Sequence, residues 1–67
     1  MNDELFWVTA RRVCTVKQFR VLECRDRHGM SLSATAKACG VGVSTVRGLQ
    51  RAAYHALQKH FDQEEAA

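Results

Sequence analysis

Arg47 and Arg51 stand four positions apart, which on a helix puts them one turn apart on the same side. Val43, Ser44 and Thr45 lie just ahead of them, and Gly48 sits between them. Guanidinium and hydroxyl groups in such a row can hydrogen-bond to base edges and phosphate oxygens. Small residues among them let a backbone come close to a ligand. Arg47 is expected nearer the bases and Arg51 nearer phosphate. Thr45 suits the backbone or a thymine methyl, and reads equally as a residue that starts a helix. Upstream, Ser31 and Ser33 open another helical stretch, whose N-terminal N–H groups suit a phosphate. Ser31 also reads as a plain helix cap, and Lys37 as a phosphate neighbour or a solvated lysine.

No other grouping offers comparable chemistry. Cys14, Cys24 and Cys39 are odd in number and never spaced C-x-x-C, so neither a disulfide framework nor a zinc ribbon is expected. Each falls where a small apolar residue is wanted, and reduced cysteines fit a cytoplasmic setting. His28, His55 and His60 are not at ligand spacing, so the expectation is no metal and no cofactor. No nucleophile and base stand at a recognisable spacing, and His55 lacks a positioned acidic partner. An enzyme is not expected.

The candidate residues need helices to position them, and the chain supplies four. Leu5, Phe6, Trp7, Val8, Ala10 and Val13 predict a first helix over about 3–12, with Asn2 or Asp3 to cap it. Thr15 and Gln18 have the spacing of a capping box, with Cys14 and Phe19 placed as a hydrophobic staple. Val21, Leu22 and Cys24 give that second helix its apolar face, and His28-Gly29 ends it. Ser31 caps a third helix running to Cys39, with Leu32, Thr35, Ala36 and Cys39 on one side. Gly40 falls where a left-handed residue is wanted, and Val41 and Gly42 complete a short turn. The fourth helix begins near Val43 and carries Val46, Leu49, Ala53, Leu57 and Phe61 at near-helical intervals. Residues 1–2 and 62–67 are expected to fray.

Two helices joined by a tight glycine turn follow the helix-turn-helix plan, in which the second helix enters the major groove. The charge distribution agrees. Residues 11–61 hold all ten basic residues against Glu23 and Asp26, a net +8, between acidic ends of −2 and −3. Such a middle suits a polyanion, although basic residues can also simply solvate helix faces. A chain of 67 residues fits a single domain with little scaffold for a buried catalytic pocket. Its 46% hydrophobic and 25% charged residues are those of a folded domain. It has no apolar run near the ~20 residues a membrane span needs, and no signal-peptide pattern at its start.

Together these residues resemble region 4 of bacterial sigma factors over about 14–57, most of the chain. That family typically reads Leu-Thr-x-x-Gln, Val-Leu-x-Leu-Arg, Gly-x-Ser, Ile-Ala, Leu-Gly-Val-Ser and Thr-Val-Arg. Without a gap, Thr15 and Gln18 fall on the first motif, and Val21, Leu22 and Arg25 on the second. Gly29 and Ser31 match Gly-x-Ser, Ala36 matches the alanine of Ile-Ala, Gly40 and Val41 the Gly-Val, and Thr45, Val46 and Arg47 the last. LuxR-type regulators share much of the pattern but carry a further dimerisation helix, for which only ten residues follow Leu57. The helix before Cys14 suits the sigma-like arrangement better. The resemblance implies an all-α domain of four short helices with a recognition helix at about 43–60.

The chain departs from that family in several places. Cysteines replace Leu-type residues, Thr35 replaces Ile, and Gly42 replaces the serine that caps the recognition helix. Val43, Ser44 and Gly48 stand where housekeeping sigma factors carry long polar side chains for the promoter −35 element. The usual −35 specificity is therefore not expected. Sixty-seven residues also cannot hold the region that grips the polymerase and melts the −10 element. The resemblance thus implies either an excised domain or a stand-alone regulator of the kind phages and mobile elements encode.

Leu5, Phe6, Trp7 and Val8 are four consecutive apolar residues, more than one helix can turn into a small core. Some are expected at the surface, as a contact for RNA polymerase or for a second copy in a homodimer. The expected function is a transcription regulator bound to double-stranded DNA. The alternative is a protein-interaction module of the same fold that binds RNA polymerase or another regulator without specific DNA binding.

Overall fold

Acidic residues open the first helix and basic residues close it, each favoured by the end of the helix dipole it meets. Asp3 and Glu4 lie in the first turn of α1 (Asp3–Val13), and Arg11 and Arg12 in its last. The computed structural model describes residues 3–66. Within them it is all-helical, with four helices and no strand. Met1, Asn2 and Ala67, all three expected to fray and Asn2 also a possible cap, lie outside the described residues.

The start of α2 (Val16–Leu22) is a capping box. The Gln18 N–H donates to the Thr15 hydroxyl at 3.2 Å, and the Thr15 N–H donates to the Gln18 side-chain oxygen at 3.0 Å. These bonds satisfy two donors that every helix start leaves unpaired. Cys14 and Phe19 join the same apolar cluster, as the staple spacing predicts.

Beyond Leu22 the helix widens into a π turn, Glu23–Arg27, in which the His28 N–H reaches back to the Glu23 carbonyl at 3.1 Å. Nothing in the apolar spacing predicts this turn. It leaves Cys24 half-buried rather than on the core face. Gly29, with φ +63, then turns the chain toward α3 (Leu32–Cys39).

Ser31 caps α3 by accepting from the Ala34 N–H at 3.1 Å. Its other end is a Schellman motif. Gly40 has φ +68, its N–H donates to the Lys37 carbonyl at 3.3 Å, and the Val41 N–H donates to the Ala36 carbonyl at 3.0 Å. Val41 and Ala36 also share one apolar cluster, the contact that usually accompanies this motif. Gly42 accepts the first bond of α4 (Val43–Ala66), from the Val46 N–H at 3.1 Å.

With 24 residues α4 runs most of the molecule's 39 Å length, and the other three helices pack along it. It continues through Ala66, past residue 62 where fraying was expected. Alanine and glutamate are strong helix formers, and the His60 and Glu64 side chains meet at 3.2 Å one turn apart.

Two apolar clusters form the core. Ala10, Cys14, Leu22, Ala53 and Leu57 join α1 and α2 to the later half of α4. Val21, Ala36 and Val46 join α2 and α3 to its earlier half. The adjacent residues Val21 and Leu22 are both fully buried, one in each cluster. Each such side chain contributes about 1.5–3 kcal/mol by leaving water.

Candidate nucleic-acid interface

Val46, Ala53 and Leu57 fix the inward face of α4, so the opposite face is determined by helical geometry. Ser44, Arg47, Gly48 and Arg51 recur at three- and four-residue steps along that outer face, and all are exposed. Val43 and Thr45, at the first turn, are exposed as well. Ser31, Ser33 and Lys37 are exposed on α3, joined to α4 by the tight turn at 40–42.

Ser31 serves as the cap, and its hydroxyl keeps a proton to donate. A Cβ built on Gly48 would meet nothing within 4 Å, so internal packing does not require glycine there.

The cations of the basic middle divide into two groups. The arginines of α2 and its π turn have partners inside the protein, whereas Lys17 of α2 is exposed and has none among the described residues. Arg25 donates to the Met30 carbonyl at 2.6 Å, and Arg20 donates to the Ala38 carbonyl at 3.5 Å. Arg27 pairs with Glu23 at 3.2 Å and lies 5.3 Å over the Trp7 ring. Among the described residues, Lys37, Arg47 and Arg51 have no ion-pair or hydrogen-bond partner. Arg11, Arg12, Lys17 and Lys59 are likewise exposed without such partners, so the free charge is spread over the molecule, and Lys37, Arg47 and Arg51 are its share on α3 and the earlier half of α4.

Sequence reasoning stopped at Arg51, but the same face continues. Gln50, Tyr54, His55 and Gln58 line one shallow depression with Arg47 and Arg51. Their spacing, three, four and seven residues beyond Arg47 or Arg51, was the signal that could have found them. Tyr54 hydrogen-bonds Asp26 of the π turn, and burial and that bond push its hydroxyl above the ordinary tyrosine range.

The apolar run of α1 lies elsewhere and is split. Leu5 and Val8 are 60% and 52% exposed. Phe6 and Trp7 instead pack against the core cluster, with Trp7 edge-on to Phe6 at 5.2 Å and to Phe19 at 6.0 Å. Residues 5–8 therefore do not present one continuous apolar surface, because successive helical positions point about 100° apart.

Among the described residues no three His, Cys, Asp or Glu side chains come together as a metal site would require. No described helix is long and apolar enough to cross a membrane. No protein-family model, curated protein or solved structure matches this chain.

Proposed function

We propose that this chain is a DNA-binding transcription regulator whose α3 and α4 form a helix-turn-helix of the sigma region 4 type. In this reading α4 lies in the major groove, Ser44, Thr45, Arg47 and Gly48 approach the bases, and Arg51, Ser33 and Lys37 hold phosphates. The single observation that carries it is the contrast between cations. Arg47, Arg51 and Lys37 are exposed without partners, whereas Arg20, Arg25 and Arg27 are tied down internally. A regulator of this kind works in the cytoplasm of a bacterium, with or without a phage origin.

The test is fluorescence anisotropy with labelled duplex DNA at several salt concentrations. Neutralising about four to six phosphates gives a slope of log K against log salt of roughly −3 to −6. Substituting both Arg47→Ala and Arg51→Ala reduces affinity and flattens that slope. No binding at low salt sinks the proposal.

A second reading is favoured by Leu5 and Val8, which leave apolar surface on α1 away from the basic face. It makes the chain an interaction module for RNA polymerase, another regulator or a second copy. Retained partner binding by the Arg47 and Arg51 double variant, with no DNA binding by the wild type, selects this reading.

A further inference from the structure

Ala10 is the buried residue of α1, so the face opposite it looks away from the core. On that face Leu5, Val8 and Arg12 recur at three- and four-residue steps, and so do Glu4, Val8 and Arg11. All five residues are exposed, and Glu4, Val8 and Arg11 border one depression. Two apolar side chains therefore lie in a stripe with charge around them. The charge has a direction along the helix, acidic at Asp3 and Glu4 and basic at Arg11 and Arg12.

We propose that this face of α1 binds a second copy of the chain, paired antiparallel about a two-fold axis at Val8. The proposal rests on the second reading above, in which Leu5 and Val8 mark an interaction surface, and it names the occupant. Val8 meets Val8 of the second copy on the axis. Glu4 precedes Val8 by four residues and Arg11 follows it by three, on the same side of the stripe. Antiparallel pairing therefore brings each Glu4 to Arg11 of the other copy. On the opposite side, the aliphatic stem of each Arg12 covers Leu5 of the other copy.

Charge complementarity selects this occupant. A face that is acidic at one end and basic at the other matches its own reversed copy by symmetry alone. Parallel pairing would set acid against acid and base against base, so the charges also fix the orientation.

The seam is short. With 11 residues α1 runs about 16 Å, too little to bury the ~1,200 Å² of a standard interface. The dimer is accordingly weak and forms at high chain concentration. Because α1 packs on the later half of α4, the pair carries two α4 helices related by the same axis.

The test is sedimentation equilibrium of the full chain, from micromolar to millimolar concentration, with reductant and without DNA. The expected result is a reversible monomer–dimer equilibrium. Val8→Asp puts two carboxylates on the axis and should weaken association about tenfold or more. Arg11→Glu should also weaken it, and adding Glu4→Arg to Arg11→Glu should restore it, which loss of folding would not do. Orientation is read by oxidising Val8→Cys and Leu5→Cys and mapping the linked peptides. Position 8 should link to itself between copies. Position 5 should not, because its two copies lie about 9 Å apart along the helix axis, and a disulfide spans no more than ~7 Å between Cα atoms. These positions are exposed, so the fold should hold, and melting curves check it. The concentration dependence of the wild-type chain decides the matter even where a variant folds poorly. A monomer at every concentration, a dimer indifferent to Val8→Asp, or self-linkage of Leu5→Cys overturns the proposal. The second reading has its own measure, binding of RNA polymerase by the wild type and by Val8→Asp, so the two can fail separately.

Discussion

The Tyr54 hydroxyl on the outer face of α4 donates to the Asp26 carboxylate in the π turn of α2. One hydrogen bond thus joins the later part of the candidate interface to the only segment of irregular helix among the described residues. A neutral phenol is required, because a phenolate beside a carboxylate would repel it.

The pH dependence of this contact follows from its sign. Burial first, and then the hydrogen bond to Asp26, raise the Tyr54 hydroxyl in the folded state. A raised value stabilises the fold below the unfolded tyrosine value, about 10, and that stability is lost as pH climbs through the folded value. Urea midpoints of wild type and Tyr54→Phe measured from neutral pH to beyond that range should converge at the alkaline end. The convergence should be small, since Tyr54 is 42% exposed and solvent screens the interaction. Parallel curves throughout would show that the bond contributes nothing that titrates.

Thr35 is fully buried between α3 and the core, and its hydroxyl has no hydrogen-bond partner. An unsatisfied buried hydroxyl costs about 1–3 kcal/mol, and valine has nearly the same shape without it. Thr35→Val should therefore raise the urea midpoint by an amount equivalent to about 1–2 kcal/mol. A lower midpoint would mean that the hydroxyl is satisfied in solution.

Two glycines should respond in opposite directions. Gly40 holds the left-handed end of α3, so Gly40→Ala should cost about 1–2 kcal/mol and Gly40→Asn distinctly less. Gly48 lies inside α4 with open space around it, so Gly48→Ala should stabilise by about 1 kcal/mol. Thermal melts check both. If Gly48→Ala also weakens DNA binding, the backbone there approaches the duplex closely.

Two arginines separate stability from binding. Arg25 bonds the Met30 carbonyl from a partly buried position, so Arg25→Ala should lower the melting temperature. Its effect on DNA affinity should be small once the chain is folded. Arg47→Ala should leave the melting temperature within the error of the wild type and reduce the salt slope by about one. Equal effects of the two on affinity would remove the distinction between tied and free cations on which the proposed function rests.

Features that depend on near neighbours in the chain were legible in the sequence. The Thr15 and Gln18 capping box, the Ser31 cap and the left-handed Gly40 each involve residues within one or two turns, so residue type and spacing specify them. The outer face of α4 was legible for the same reason, since it is the complement of Val46, Ala53 and Leu57. The π turn was not, because a widened turn is imposed by packing and leaves no periodic mark. The Tyr54 bond to Asp26 was hidden too, as it joins residues from separate helices. The split of residues 5–8 was legible only in part. Four apolar residues in a row announced that some must be exposed, but Phe19 and the rest of the core decided that Trp7 turns inward.

Val21 and Leu22 are neighbours in the chain, yet each is the fully buried centre of a different apolar cluster. Neither half of the molecule can then open alone, because releasing either cluster strips one side of α2 from its support. The peptide hydrogens of these two residues should accordingly exchange with solvent only when the whole chain unfolds. Small as it is, the protein should unfold as a single cooperative unit, with its slowest-exchanging point at the end of its shortest α-helix, where the π turn begins.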